Sequence, residues 1–300
     1  MKLNYKRTFF IGLAFLSISA FWQLYDNIIP LILQNTFEIG ETLTGAIMAV
    51  DNVLALFLLP LFGTFSDKVN TKFGKRIPFI VGGTVIAVLF MTLIPIADHT
   101  KNFTLFFVSL GVVLVAMSSY RSPAVALMPD LTPKPLRSKA NSIINLMGAV
   151  GGIITLAMIS ILIPKTAHPS YTRVFNSVAV LMVISITILL ITIREKRLAI
   201  EISHDDIDTE KEHVENVNKD TSMPKDVRRS LYFILASIFL WFVAYNAVTT
   251  AFSRYAVRVW NLQGGSFANA LMVATGAAIL SYIPSWAASA PNNAAVGLPQ

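Results

Sequence analysis

Eight apolar stretches, each long enough to cross a lipid bilayer as a helix, constrain this sequence more than any other feature. A transmembrane helix needs about 20 mostly apolar residues. The predicted spans are residues 9–33, 43–65, 78–97, 103–127, 140–163, 173–193, 230–252 and 267–285. Hydrophobic residues make up 54% of the chain and charged residues only 14%, which leaves too little polar surface to cover a water-soluble particle. The sequence therefore predicts an all-α, polytopic membrane protein whose solvent is the lipid bilayer.

The basic residues of the short loops predict how the chain is oriented. They cluster at the N-terminus, between the second and third spans, and between the fourth and fifth: Lys2, Lys6, Arg7, Lys68, Lys72, Lys75, Arg76, Lys134, Arg137 and Lys139. An excess of Lys and Arg marks the cytoplasmic side of a membrane protein. The N-terminus and the charged linker 194–229 are therefore predicted to be cytoplasmic, in a multi-pass protein of the cell inner membrane. Arg254 and Arg258, after the seventh span, go against this rule.

A weak internal repeat predicts how the spans are grouped. The string FWxxYD at 21–26 is similar to WFxxYN at 241–246, at an offset of 220 residues, and many transporters consist of repeated halves. The tail lacks the basic loop that the repeat predicts after the eighth span. It is therefore predicted to be non-native sequence, as a frameshift or a truncated gene would give, and a divergent native tail is the alternative. The predicted units are a complete six-helix bundle (1–193), a cytoplasmic linker (194–229), the first two helices of a second bundle (230–284) and the tail (285–300).

Polar residues inside the predicted spans are the candidate substrate and cation site. An aspartate near the bilayer centre costs about 2.5–3.5 kcal/mol. Asp26 and Asp51 both lie about 10–12 Å below the outer face of the membrane and are predicted to bind a proton or Na⁺. Structural pairing of one of them with a basic residue is the alternative.

The other candidates are donors, acceptors and rings that suit a sugar: Gln23, Asn27, Asn52, Asn145, Asn246, Trp22, Tyr25 and Arg121. Counting residues from the outer face places Arg121 about 27 Å deep, near the cytoplasmic end of its span. It is expected either to pair with an aspartate, to hold a sugar hydroxyl, or to extend to the lipid headgroups. The aromatic side chains are expected either to stack on a sugar ring or to anchor at the membrane interface.

The most specific local signal lies between the second and third spans. It reads GTFSDKVNTKFGKRIPFI at residues 63–80. Gly63 permits close approach of helices, Asp67 can cap a turn or pair with a cation, and Gly74 permits a positive φ. Lys75 and Arg76 are predicted to anchor at the headgroups.

This string resembles the cytoplasmic loop motif of major facilitator transporters. Its ending, together with YRSPAVALMPDL at 120–131, resembles the sucrose/proton symporter branch and the related glycoside–pentoside–hexuronide:cation symporters. The resemblance implies the major facilitator fold and a gating role for the loop residues Gly63, Asp67, Lys68, Gly74, Lys75 and Arg76.

The resemblance also implies a function: cation-coupled secondary transport of a sugar or glycoside by alternating access. The expected partners are a sugar, a proton or Na⁺, and lipid, and the expected state is a monomer. The alternatives are a proton-coupled drug or organic-acid exporter of the same fold, and a non-transporting membrane protein or inactive truncated product. The sequence has no cysteine, no phosphate loop, no zinc spacing and no nucleophile elbow, so no enzymatic role, metal, cofactor or nucleic acid is predicted.

Overall fold

A computed structural model of the chain describes residues 3–166, 169–198 and 225–288, and within these ranges it contains helices and no strands. The predicted all-α class is thus confirmed. The long helices are α1 (Tyr5–Asn35), α2 (Glu41–Lys68), α3 (Ile77–His99), α4 (Phe103–Asp130), α5 (Arg137–Leu162), α6 (Thr172–Thr192), α7 (Lys225–Val259) and α8 (Phe267–Ala288). Most of the predicted linker and the end of the predicted tail lie outside the described residues.

Seven of the described helices, α1 to α7, are long and apolar enough to cross a membrane. α8 contributes a shorter apolar stretch over Phe267–Leu280. The largest difference from the prediction is in α7, which begins at Lys225 instead of residue 230 and ends at Val259 instead of residue 252. Helices continue past the apolar core into the headgroup region, where hydrophobicity no longer marks their ends.

α1 lies at the centre of the first six helices and contacts α2, α4, α5 and α6. Glycines bring α5 against it, because a Cβ added at Gly151 would overlap the main chain of Leu16 and one at Gly148 would lie 2.9 Å from the Ser19 hydroxyl. Close backbone approach at small residues is typical of helix packing in membranes. The glycines of α5 therefore serve packing between α1 and α5.

α7 and α8 contact the first six helices near one membrane face. This face carries the α1–α2 connection, and the helix ends there are called the outer ends below. Ser160 of α5 donates a hydrogen bond of 2.7 Å to Asn269 of α8, and Arg258 of α7 pairs with Glu41 at the start of α2. By contrast, the α7 residues 227–248 are all exposed. The two groups of helices are therefore joined at the outer face and separated towards the predicted cytoplasmic face.

Candidate functional site

Two carboxylates and one guanidinium, from three helices, form the centre of the candidate site. The charge of Asp51 on α2 interacts with those of Asp26 on α1 and Arg121 on α4. Arg121 makes no ion pair within 4.0 Å in the part of the chain that the structure describes. Its guanidinium carbon lies 5.8 Å from the centre of the Trp22 ring. Arg121 therefore points into the membrane interior, and not to the headgroups.

Two aromatic residues of α1 add hydrogen-bond donors to this region. The Tyr25 hydroxyl and the Trp22 indole nitrogen are buried and have no hydrogen-bond partner among the described residues. The charges of Asp26 and Asp51 both act on the Tyr25 hydroxyl. Leaving a buried polar group unpaired costs about 1–3 kcal/mol. An oxygen-rich ligand next to the carboxylates would satisfy both donors.

Three of the predicted amide residues have partners close in sequence. Asn52 donates a hydrogen bond of 2.8 Å to Asp51, although consecutive helix positions point in different directions. Asn27 is buried, and its side chain donates to the main-chain oxygen of Gln23 at 2.9 Å and to the side-chain oxygen at 3.2 Å. Asn52 thus belongs to the carboxylate region, whereas Gln23 and Asn27 support each other within α1.

The other two amides lie apart from the carboxylates. Asn145 on α5 is exposed. Asn246 on α7 is exposed as well, and it donates to the main-chain oxygen of Phe242 at 2.9 Å. No hydrogen bond among the described residues joins either amide to Asp26 or Asp51. Asn145 and Asn246 therefore remain candidate sugar-binding residues only because of their positions in the predicted spans.

The repeated aromatic strings form a ring pair in each helix. The Trp22 and Tyr25 rings of α1 are 5.3 Å apart, edge to face. The Trp241 and Tyr245 rings of α7 are 5.4 Å apart and stacked. Only the α1 pair lies against the carboxylate region in the described structure, since α7 is exposed at these residues.

The loop between α2 and α3 contains a buried arginine. The Arg76 side chain is 6% exposed and lies 2.5 Å from Asp67 and 2.9 Å from Asp130, and it also donates to the Ser66 hydroxyl. Lys75 lies 3.5 Å from Asp130 and 3.9 Å from Asp67. The prediction that Arg76 anchors at the headgroups is therefore wrong. A planar guanidinium can bind two carboxylates at once, which holds Arg76 between α2 and α4.

Glu195, just after α6, completes this network and was not among the residues predicted from the sequence. The residue is 2% exposed, and its carboxylate accepts from the backbone N–H groups of Lys75, Arg76 and Ile77 at 2.8–3.0 Å. These N–H groups begin α3 and have no intrahelical acceptor. Gly74, with φ 125°, leaves room for the carboxylate, because a Cβ there would overlap it. Near the start of the predicted linker, Glu195 is therefore a buried structural residue, while Arg194, Lys196 and Arg197 around it are exposed.

The two remaining loop residues differ in their surroundings. A Cβ at Gly63 would lie 3.0 Å from the Ser122 hydroxyl, and this hydroxyl donates to the Leu59 carbonyl oxygen at 2.8 Å. Gly63 therefore permits close approach of α2 and α4, as predicted. Lys68 is exposed and makes no hydrogen bond or ion pair within the described residues.

Comparison with known proteins gives one family and several relatives. The sequence model of the Major Facilitator Superfamily matches residues 11–291. A sucrose transport protein of Arabidopsis thaliana is 24% identical over 152 residues, which cover 44% of this chain and 25% of the relative. An uncharacterized symporter of Synechocystis sp. is 26% identical over 163 residues, which cover 51% of this chain and 30% of the relative. The proton-associated sugar transporter A of Homo sapiens is 30% identical over 135 residues, which cover 41% of this chain and 18% of the relative. The aligned segments thus span less than a third of the length of each of these relatives.

Proposed function

Since this chain belongs to the Major Facilitator Superfamily, a family of membrane transporters and not of enzymes, we propose that it performs cation-coupled secondary transport of a sugar or glycoside. The membrane is the cytoplasmic membrane, with the N-terminus on the cytoplasmic side. The names of two relatives include sucrose or sugar transport, and one of these also includes the word proton. The observation that carries the proposal is that Asp51 is close enough to both Asp26 and Arg121 for its charge to act on each of them.

The charges of these three residues suggest how cation movement is coupled to sugar transport. With both carboxylates ionised and the guanidinium protonated, the site has a net charge of about −1. A net charge buried in the membrane interior is costly. One proton or one Na⁺ on Asp51 makes the site neutral. The loaded site can then be enclosed by the helices at lower cost, so one cation moves in each cycle.

The arrangement of the helices supports alternating access. The outer ends are joined through the Arg258–Glu41 pair and the contact between α5 and α8, whereas α7 stands apart from the first six helices at the other face. This is the arrangement expected when the central site opens to the cytoplasm. The unpaired donors of Trp22 and Tyr25 then face the space where a sugar hydroxyl binds.

A second candidate function rests on Arg121. Its guanidinium has no carboxylate within ion-pair distance among the described residues, and such a cation also suits an organic acid. A proton-coupled exporter of organic acids is therefore the alternative on the same fold. In that case the anion would occupy the position next to Trp22 in place of a sugar.

Uptake into proteoliposomes tests the proposal. The purified protein is assayed with radiolabelled sucrose, maltose, glucose and lactate under imposed proton or Na⁺ gradients. We expect one of the sugars to accumulate at least tenfold with one gradient. Asp51→Asn should abolish accumulation but retain exchange of labelled for unlabelled sugar, whereas Asp51→Glu, which keeps the charge, should retain part of both. Equilibration of the sugar without any dependence on the gradient in the wild type contradicts cation coupling. Accumulation of lactate alone favours the organic-acid exporter. Transport of none of the four solutes contradicts the proposed function.

A further inference from the structure

A cavity of about 660 Å³ lies between the outer ends of α1 and α7. Its wall comes from the end of α1, the α1–α2 connection and the last turns of α7, including Gln34, Glu38, Glu41, Arg254 and Arg258. Ligand cavities in proteins generally measure about 300–1,000 Å³. Gln34 is eight residues beyond Asp26 on the same helix, or about 12 Å at 1.5 Å per residue. The cavity is therefore separate from the carboxylate region.

Two hydrogen-bond donors of the cavity wall are unpaired. The side-chain nitrogen of Gln34 and the Nε of Arg254 are both buried without a partner in the described structure. Buried groups normally find partners, because an unmade hydrogen bond costs about 1–3 kcal/mol. Both groups are N–H donors, so a ligand that fits them must present acceptor oxygens.

The charges of the wall indicate a neutral ligand. Glu41 pairs with Arg258, while Glu38 and Arg254 form no ion pair with a described residue. Two carboxylates and two guanidiniums sum to zero, so the cavity gives no net attraction for an anion or a cation. Hydroxyl groups can accept from Gln34 and Arg254 and also donate to Glu38. A molecule with several hydroxyls is the ligand that matches all three groups.

We propose that this outer cavity is a second sugar-binding site, distinct from the central one and lined by both groups of helices. The choice of a sugar rests on the proposed function. The site also explains why two arginines lie on the face where the distribution of positive charge disfavours them. Because its wall joins α1 to α7, a sugar bound here stabilises the arrangement with joined outer ends.

Equilibrium binding to the purified protein in lipid nanodiscs tests this site. The probes are radiolabelled sucrose, maltose and glucose, and the readout is the number of sugars bound per protein at saturation. We expect two equivalents of one sugar for the wild type. Arg254→Gln and Gln34→Leu should each weaken one of the two binding steps at least tenfold. Arg173→Gln, which removes an exposed arginine at the start of α6, is the matched control and should leave two equivalents. Far-ultraviolet circular dichroism and gel filtration verify that each variant is folded.

The variant Arg121→Gln separates this inference from the proposed function. It should remove the central equivalent and leave the outer one. If the wild type binds one equivalent and Arg254→Gln leaves it unchanged, the outer site is refuted and the central site stands. If Arg121→Gln has no effect while Arg254→Gln removes all binding, the outer site stands and the central one fails. Binding of none of the three sugars contradicts both.

Discussion

Replacing Glu195 by Gln tests whether this carboxylate holds the start of α3. In the wild type, its two oxygens accept from three backbone N–H groups at 2.8–3.0 Å. Gln retains one acceptor oxygen and places an NH₂ group, itself a donor, against the other N–H groups. Hydrogen bonds to a charged group are worth about 1.5–3 kcal/mol each, and the partial positive charge of a helix N-terminus adds to the preference for a carboxylate. Losing about two such bonds lowers the local stability by roughly 3 kcal/mol.

Hydrogen exchange measured by mass spectrometry gives the local readout. The peptide containing residues 75–77 is expected to exchange about a hundredfold faster in Glu195→Gln, since about 1.4 kcal/mol corresponds to a factor of ten. Peptides from α5 should not change. Lys196→Gln removes a neighbouring charge that is exposed and serves as the matched control. Equal exchange of residues 75–77 in wild type and Glu195→Gln would refute the assignment of Glu195 as the cap of α3.

Three further substitutions and one control probe the packing of the first six helices by unfolding in SDS. In Gly151→Ala the added Cβ overlaps the main chain of Leu16, so the free energy of unfolding should fall by about 1–3 kcal/mol. In the control Gly111→Ala the added Cβ has no atom of another helix within 4 Å, so the free energy of unfolding should not fall. Arg76→Lys should cost about 2–4 kcal/mol, because an ammonium cannot bind two carboxylates in the geometry of the guanidinium, and an effect below 0.5 kcal/mol would contradict its role between α2 and α4. Tyr120→Phe removes a buried hydrogen bond of 2.8 Å to a carbonyl oxygen of α1 and should lower the free energy of unfolding by about 1 kcal/mol. No change in stability would show that this bond is not needed.

The sequence predicted the helices well because lipid imposes a simple length rule. α3 (Ile77–His99) and α6 (Thr172–Thr192) lie within two residues of their predicted ends, since charged or turn-forming residues flank both apolar runs. The ends of α7 were wrong for the opposite reason. Charged residues lie in its first turns (Lys225, Asp226, Arg228 and Arg229) and in its last two turns (Arg254 and Arg258) but remain helical, so the uncharged apolar run is shorter than the helix.

Contacts between distant residues were the part that the sequence did not reveal. Glu195 lies 118–120 residues from the N–H groups it binds, and no local pattern distinguishes it from the other acidic residues of the predicted linker. The position of Arg121 shows a related limit. Counting residues along α4 places its Cα near the cytoplasmic end, but its long side chain carries the guanidinium to the Trp22 ring of α1.

The two charge networks at the opposite faces differ in burial, and under the proposed transport cycle this difference predicts which one opens. The Arg76 side chain is 6% exposed, lies within the first six helices and binds two carboxylates. Separating it from both would leave a buried charge uncompensated, at a cost of about 3–5 kcal/mol. The Arg258 side chain is 75% exposed and its partner Glu41 65% exposed, and such pairs contribute only about 0–1 kcal/mol. Under the proposed alternating access, the outer ends can therefore separate at small electrostatic cost. Under the same proposal, the network of Arg76 and Glu195 is expected to stay intact, so that α2, α3 and α4 move together.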